Sequence, residues 1–169
     1  MQPEHVARRL LLLALALLLT ACGFQLRGTG EAAVAWPAAL ARLQLGGPAL
    51  SPEVERQLAP ALRRAGAELV DGGGADTARL EILAYDEGED LLALGVGSTA
   101  RDFQLSARID YTLQAGGDAT VQRGSVSANR TVQSSADQVN AALAEARRVK
   151  RELRDEVIDA LVRRLAARG

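Results

Sequence analysis

The residues best placed to do chemistry stand together near the start of the chain, Leu19-Thr20-Ala21-Cys22. The small Thr20 and Ala21 fit a peptidase pocket. The Cys22 thiolate is a nucleophile that can take a diacylglyceryl group, because sulfur attacks carbon electrophiles well. The four residues match the lipobox at which lipoprotein signals are cleaved, so Cys22 is the expected lipidation site. What precedes them agrees: Arg8 and Arg9 supply positive charge, and Leu10 to Leu19 form an unbroken apolar run of ten residues. A membrane-spanning helix needs ~20, so 1–21 reads as a cleaved lipoprotein signal peptide. The competing reading is an ordinary signal that happens to end near a cysteine. It would leave a lone thiol in an exported protein, with no partner for a disulfide, and lipidation removes that oddity. Gly23 stands where an aspartate often retains lipoproteins in the inner membrane, so glycine favours the outer membrane, on its periplasmic face. Each buried CH₂ of the lipid contributes ~0.8 kcal/mol, and two or three chains give a stable anchor.

Other chemistry is limited by what is missing. Cys22 is the only cysteine and His5, within the signal, the only histidine. The mature chain 22–169 therefore has no imidazole and no free thiol. Histidine acid–base catalysis, Ser-His-Asp and Cys-His nucleophiles and His/Cys metal sites are excluded. Carboxylate chemistry or a lysine nucleophile remains, and Lys150 is the only lysine. Apart from the covalent lipid, no cofactor is expected. Loss of Arg8, Arg9 and Glu4 takes the 20 basic and 21 acidic residues to 18 and 20, a net charge of −2. A nucleic-acid binder normally shows a basic excess. The 148 residues left of 169 make one ordinary domain.

The elements that must position any site follow from periodicity and punctuation. After an irregular stretch through Pro37, Leu40–Leu45 reads as a short strand broken by Gly46-Gly47-Pro48. Ser51-Pro52-Glu53 is a helix start, with Ser51 as N-cap and Pro52 in the first helical position. Val54, Leu58, Ala61, Leu62 and Ala65 form its apolar stripe. Pro60 is expected to kink it, and Gly66 to end it. Ala67–Val70 has room for a short extended piece. Three longer strands are expected. The first covers about Ala78–Asp86, then Asp86–Asp90 turns the chain, with Leu91–Val96 as an extension past a bend or bulge. The second covers about Arg101–Gln114, with Phe103, Leu105, Ala107, Ile109, Tyr111 and Leu113 on one face. Gly116-Gly117-Asp118 forms a hairpin turn into the third, about Ala119–Gln133. From Ser135, a candidate cap, Val139, Leu143, Ala146, Val149, Leu153, Val157, Leu161 and Leu165 recur at helical spacing. The order β-α-β-β-β-α implies an α+β fold: two helices packed on a mostly antiparallel sheet of about four strands, with one sheet face left for something else.

Cys22-Gly23-Phe24-Gln25-Leu26-Arg27-Gly28 resembles the mature start of the LptE family of lipopolysaccharide-assembly lipoproteins, in which Cys-Gly-aromatic-polar-Leu-Arg recurs. The element order is similar as well. Arg101-Asp102-Phe103-Gln104-Leu105 is like the family's charged entry to its second long strand, and Leu153–Leu165 is like its closing helix. The likeness spans nearly the whole mature chain, and only the N-terminal motif is fairly specific. It implies a protein that is not an enzyme. Family members sit inside the outer-membrane β-barrel LptD as plug and assembly aid, and bind lipopolysaccharide. Two departures stand out: Gly95-Val96-Gly97-Ser98 lies where relatives often carry a basic residue, and the chain stops at Gly169 without the polar tail of some relatives.

If lipopolysaccharide is the ligand, its clustered phosphates call for arginine, which binds them through charge-assisted, often bidentate hydrogen bonds. The candidates are Arg101 and Arg108 on the second long strand and Arg130, with Arg123, on the third. Arg147, Arg148 and Lys150 on the last helix form a second group. Against each stands the plain reading of a solvated surface charge. The acidic run Asp86–Asp90 invites calcium but lacks the spacing of a known loop and reads more simply as a solvated turn. Glu81 and Asp110 could be imagined as a glycosidase pair, with no pocket to point to. Trp36 is either a docking anchor or a packing residue. The leading expectation is thus an interaction protein. The alternatives are another envelope lipoprotein binding peptidoglycan or small lipids, and a carboxylate-dependent hydrolase.

Overall fold

The structure, a computed structural model, describes residues 36–94, 100–135 and 139–168, all within the unit Val34–Gly169. Cys22, the lipobox and Gly95–Ser98 lie outside the described residues.

Local signals at the first helix act as the residue types require. A short 3-10 turn, Ala38–Leu40, leads into strand β1, Arg42–Gly46. Helix α1, Pro52–Ala65, begins where the Val54 amide donates to the Ser51 hydroxyl at 3.3 Å. It ends at Gly66, whose φ of 114° is a left-handed conformation that other residues adopt only with strain. Trp36 packs against Gly66 and donates from its indole nitrogen to the Leu40 carbonyl at 2.8 Å, so it serves packing near the first strand. The helix continues through Pro60 without a break.

Beyond α1 the sheet is larger than expected. Glu68–Leu69 forms a short strand, β2, beside β1. β3 covers Ala78–Leu94, β4 Ala100–Gln114 and β5 Val121–Ser135. The sheet has five strands in the order β2-β1-β3-β4-β5, with β1 parallel to both neighbours and the last three antiparallel. The expectation of about four mostly antiparallel strands is corrected to a mixed, five-stranded sheet. The reason is that α1 carries the chain back between β1 and β2, and residues 70–77 carry it back between β2 and β3, so both strands run in the direction of β1.

The acidic run is the second correction. Asp86–Asp90 does not turn. It is the middle of β3, paired residue by residue with Leu105, Ser106, Ala107 and Arg108 and their neighbours on β4. Register shifts at Leu83 and Leu92 mark two bulges in β3. The turn residues that do turn the chain are Ala115–Asp118, where the Asp118 amide donates to the Ala115 carbonyl at 3.2 Å.

Helix α2, Val139–Ala166, lies over β4 and β5 and touches α1. Ser135 closes β5, and residues 136–138, where its cap would act, are outside the description. The core sits between the helices and one sheet face. Leu43, Leu80, Ile82, Leu105, Ile109 and Tyr111 from the sheet meet Leu58 and Leu62 of α1 and Leu153, Val157, Leu161 and Leu165 of α2. The apolar stripe of α2 continues past this core: Leu143 is 55% exposed, and at the same end of the sheet Leu91 and Leu92 are 50% and 53% exposed.

Candidate functional site: a polar sheet face and its arginines

Because side chains alternate along a strand, the burial of every second residue on β4 divides the sheet into two surfaces. The helix side holds the core. The other side carries Arg79 and Glu81 from β3, Ser106, Arg108, Asp110 and Thr112 from β4, and Arg123, Ser125, Ser127, Asn129 and Thr131 from β5. No described element covers it.

Near the middle of this open face, Arg108 donates through Nε to Asp110 Oδ1 at 3.0 Å, and its Nη2 lies 2.9 Å from the same oxygen. The Ser125 hydroxyl and the Arg108 guanidinium hold the Asp110 carboxyl below the usual carboxylate range. Arg108, Asp110, Arg123, Ser125 and the bulged Leu83 line a hollow of about 390 Å³. Two guanidinium groups against one carboxylate leave it net positive. The chemistry available there is recognition of an anion or an acidic side chain.

The other sequence candidates are dispersed. Arg101 pairs through its backbone with Leu94 and Ser134, at the end of β4 where the strand begins. Arg130 lies on the helix side of β5, where its Nη1 and Nη2 donate to Glu152 and Glu156 of α2, each at 3.2 Å. Arg108 and Arg130 therefore belong to opposite faces and cannot grip one ligand, whereas Arg108 and Arg123 share a hollow. Of the second group, Arg148 is held by Glu145 and Glu152, and Lys150 donates to Glu89 at 2.8 Å. Arg147 is exposed.

Alternation also accounts for the acidic run. Asp86 and Asp90 point to the open side, while Glu87 and Glu89 point to α2. Glu87 accepts from Arg154 Nη2 at 2.8 Å and from the Tyr85 hydroxyl. Arg154 Nη1 also donates to Glu53 of α1 at 3.1 Å, so one guanidinium ties α1, α2 and β3. Burial pushes the Glu87 carboxyl up, but the Tyr85 hydroxyl and the Arg154 guanidinium outweigh it and leave it below its ordinary value. Burial and the bond to Glu87 push the Tyr85 phenol up to about 12. Sequence reasoning missed this clamp, although Glu87 and Glu89 with Arg154 and Lys150 carry its charge pattern. Among the described residues, no three His, Cys, Asp or Glu side chains gather where they could hold a metal, because the strand sends successive acids to opposite faces. Glu81 pairs with Thr112 and Asp110 with Ala84, on different rows.

The family model for lipopolysaccharide assembly, LptE, matches residues 37–165. This chain belongs to the LptE family. The match covers most of the two-sided sheet and its helices, and it begins after the Cys22 motif that carried the resemblance most specifically. Solved structures agree in fold. A minor lipoprotein from Acinetobacter baumannii superposes with a TM-score of 0.63 at 22% identity, covering 78% of this chain and 95% of that one. The uncharacterized lipoprotein B of Nitrosomonas europaea gives 0.64 at 19%, covering 86% and 91%. The rare lipoprotein B of Shewanella oneidensis gives 0.64 at 16%, covering 75% and 94%. No curated protein matches the sequence significantly. As an LptE-family lipoprotein of the Gram-negative envelope, the chain has a role in lipopolysaccharide assembly.

Proposed function

We propose that this LptE-family chain is the lipid-anchored subunit of an outer-membrane lipopolysaccharide translocon. It is held to the membrane through Cys22 and occupies the LptD β-barrel as plug and assembly partner. The observation that carries this reading is the one-sided packing of the sheet. Two helices close one face, while the other, along strands of 15 residues or more, offers serine, threonine, asparagine and arginine to a partner. A polar face of that length suits the water-filled interior of a large barrel, whose inward side chains are polar.

In the same reading, lipopolysaccharide phosphates are received by arginine. Arg108, with Arg123 beside it, is the better-placed pair, and Arg101 stands at the entry to the same strand. Arg130 takes little part, since two glutamates already occupy it. No step of bond making is assigned to this chain, which acts by binding.

Affinity purification of the tagged, full-length protein from detergent extracts at native expression tests the proposal. Recovery of a large β-barrel in stoichiometric amount is the expected result. Recovery of the lone chain, or its retention on cell-wall material, would overturn it. Cys22→Ala is expected to mislocalise the protein without changing its melting temperature.

A further inference from the structure

The two edges of the sheet differ. β2 closes one side with two residues. β5 forms the other side with 15 residues, about 50 Å at about 3.3 Å per residue. Long edge strands invite pairing with another chain, and proteins normally blunt them with proline, lysine, bulges or inward charges. β5 reads Val121-Gln-Arg-Gly-Ser-Val-Ser-Ala-Asn-Arg-Thr-Val-Gln-Ser-Ser135, with no proline and no lysine. Its pairing with β4 runs without a register shift from Val121 to Ser135. Its one inward charge, Arg130, is matched by Glu152 and Glu156.

The direction of the free backbone groups can be read from one bond. Arg164 Nη1 donates to the Ser125 carbonyl at 3.3 Å, from outside the ladder. In an antiparallel pair both backbone groups of a residue face the same side, and successive residues alternate. Ser125, Ser127, Asn129, Thr131 and Gln133 therefore present their N–H and C=O groups outward. Among the described residues, Arg164 on Ser125 is the one side chain that engages this row.

A second observation marks the end of the edge near Ser125. The phenol of Tyr111 runs from β4 across Gly124, so that a Cβ at Gly124 would lie 2.6 Å from the Tyr111 hydroxyl. That hydroxyl is buried, points toward the edge, and has no hydrogen-bond partner among the described residues. Arg168 lies over the same ring and donates to Gln122 Oε1 at 2.7 Å. Two cations and an unpartnered donor thus meet at one end of the strand, while the Glu152 and Glu156 carboxylates flank its middle.

We propose that β5 is a strand-addition site for an extended segment of the protein partner, bonded along Ser125–Gln133. The segment carries a carboxylate facing Arg164 and Arg168 and a basic side chain facing Glu152 and Glu156. The inference rests on the barrel reading above. All wall strands of a closed barrel are already paired, so the segment comes from a part of the partner outside its wall. A second copy of this chain fits less well. Two-fold self-pairing would set the flank of Glu145, Glu152 and Glu156, which outnumber Arg130 and Arg148, against its own image.

Proline at Ser127 and Asn129 removes two outward donors and leaves the β4 ladder intact, as edge positions tolerate it. The full-length protein with Ser127→Pro and Asn129→Pro is purified from detergent extracts beside the natural sequence. The expected result is at least about a tenfold loss of co-purified barrel with an unchanged melting temperature. Equal recovery overturns the inference and leaves the barrel partnership standing. If the natural sequence recovers no barrel, the partnership fails and the inference with it. Hydrogen exchange on the natural complex decides the matter should the double variant misfold. The Ser127, Asn129 and Thr131 amides are expected to exchange at least about tenfold more slowly in the complex than in the free protein. Unchanged exchange rejects strand addition.

Discussion

On the helix side of the sheet, Leu80, Ile82, Ile109 and Tyr111 are closed off from water, while on the other side of the same strands Arg79, Arg108, Ser127 and Asn129 stand in it. Polar groups occur on both sides but are used differently. Toward the helices, Glu87, Glu89 and Arg130 each meet an opposite charge on α2. Among the described residues of the open side, Asp110 is held by Arg108 and Ser125, and the rows around it mix charges such as Arg79, Glu81 and Arg123 with short hydroxyl and amide side chains. The helix side holds the buried core of the domain, and in the proposed reading the open side and the β5 edge serve recognition.

The sharpest way to break this division is truncation in the core. Leu80→Ala is expected to cost about 2–5 kcal/mol in denaturant unfolding, because a fully buried side chain is replaced by a cavity. Ser127→Ala on the open side should stay within about 0.5 kcal/mol. Similar costs for the two would erase the distinction.

Gly124→Ala tests the helix-side contact with Tyr111 at the β5 edge. The added methyl meets the far end of a fully buried Tyr111. A loss of about 1–3 kcal/mol is expected from overpacking. An unchanged unfolding midpoint would mean that Tyr111 is free to move aside.

Arg154→Met tests the clamp, and a loss of about 1–2 kcal/mol at neutral pH is expected, since its partners are only partly exposed. The sign with pH follows from Glu87, whose folded value is depressed. Its contribution is present above the ordinary glutamate value of 4.5 and is lost as pH falls through the folded value. The natural protein should therefore lose more stability on acidification than Arg154→Met does. Parallel curves would show that the clamp contributes nothing.

The smallest stability effect belongs to the open face. Arg108→Ala with Arg123→Ala should shift stability by no more than about 0.5 kcal/mol, as expected for exposed charges. The same pair should reduce the lipopolysaccharide that co-elutes with the complex. Loss of stability without loss of lipopolysaccharide would assign these arginines to the scaffold.

Much of this division was legible in the sequence, and the places where it was not have physical causes. The alternation of Leu105, Ala107, Ile109 and Tyr111 marks a half-buried strand, and Ser51-Pro52 and Gly66 bound α1 where the chain does cap and turn. Asp86–Asp90 misleads because four acidic residues around a glycine resemble a turn. Their pairing is decided by β4 across from them and by cations more than 60 residues away on α2, which no local pattern shows. β2 falls inside Ala67–Val70, where the sequence leaves room for a short extended piece, but nothing local shows that it pairs beside β1. Arg108 and Arg130 look alike in sequence, and the parity of their positions on β4 and β5 alone sends them to opposite faces. Cys22 is read from chemistry only, since the family match begins beyond it.

The division of labour is tested most directly by cysteine labelling of the full-length protein, assembled in its native envelope and as a purified chain. Arg79→Cys and Asn129→Cys report the open face, and Arg151→Cys the exposed side of α2. The open-face cysteines are expected to react at least about tenfold more slowly when assembled, with Arg151→Cys much less affected. Equal labelling of Arg79→Cys and Asn129→Cys in both states would contradict the assignment of the open face to a partner.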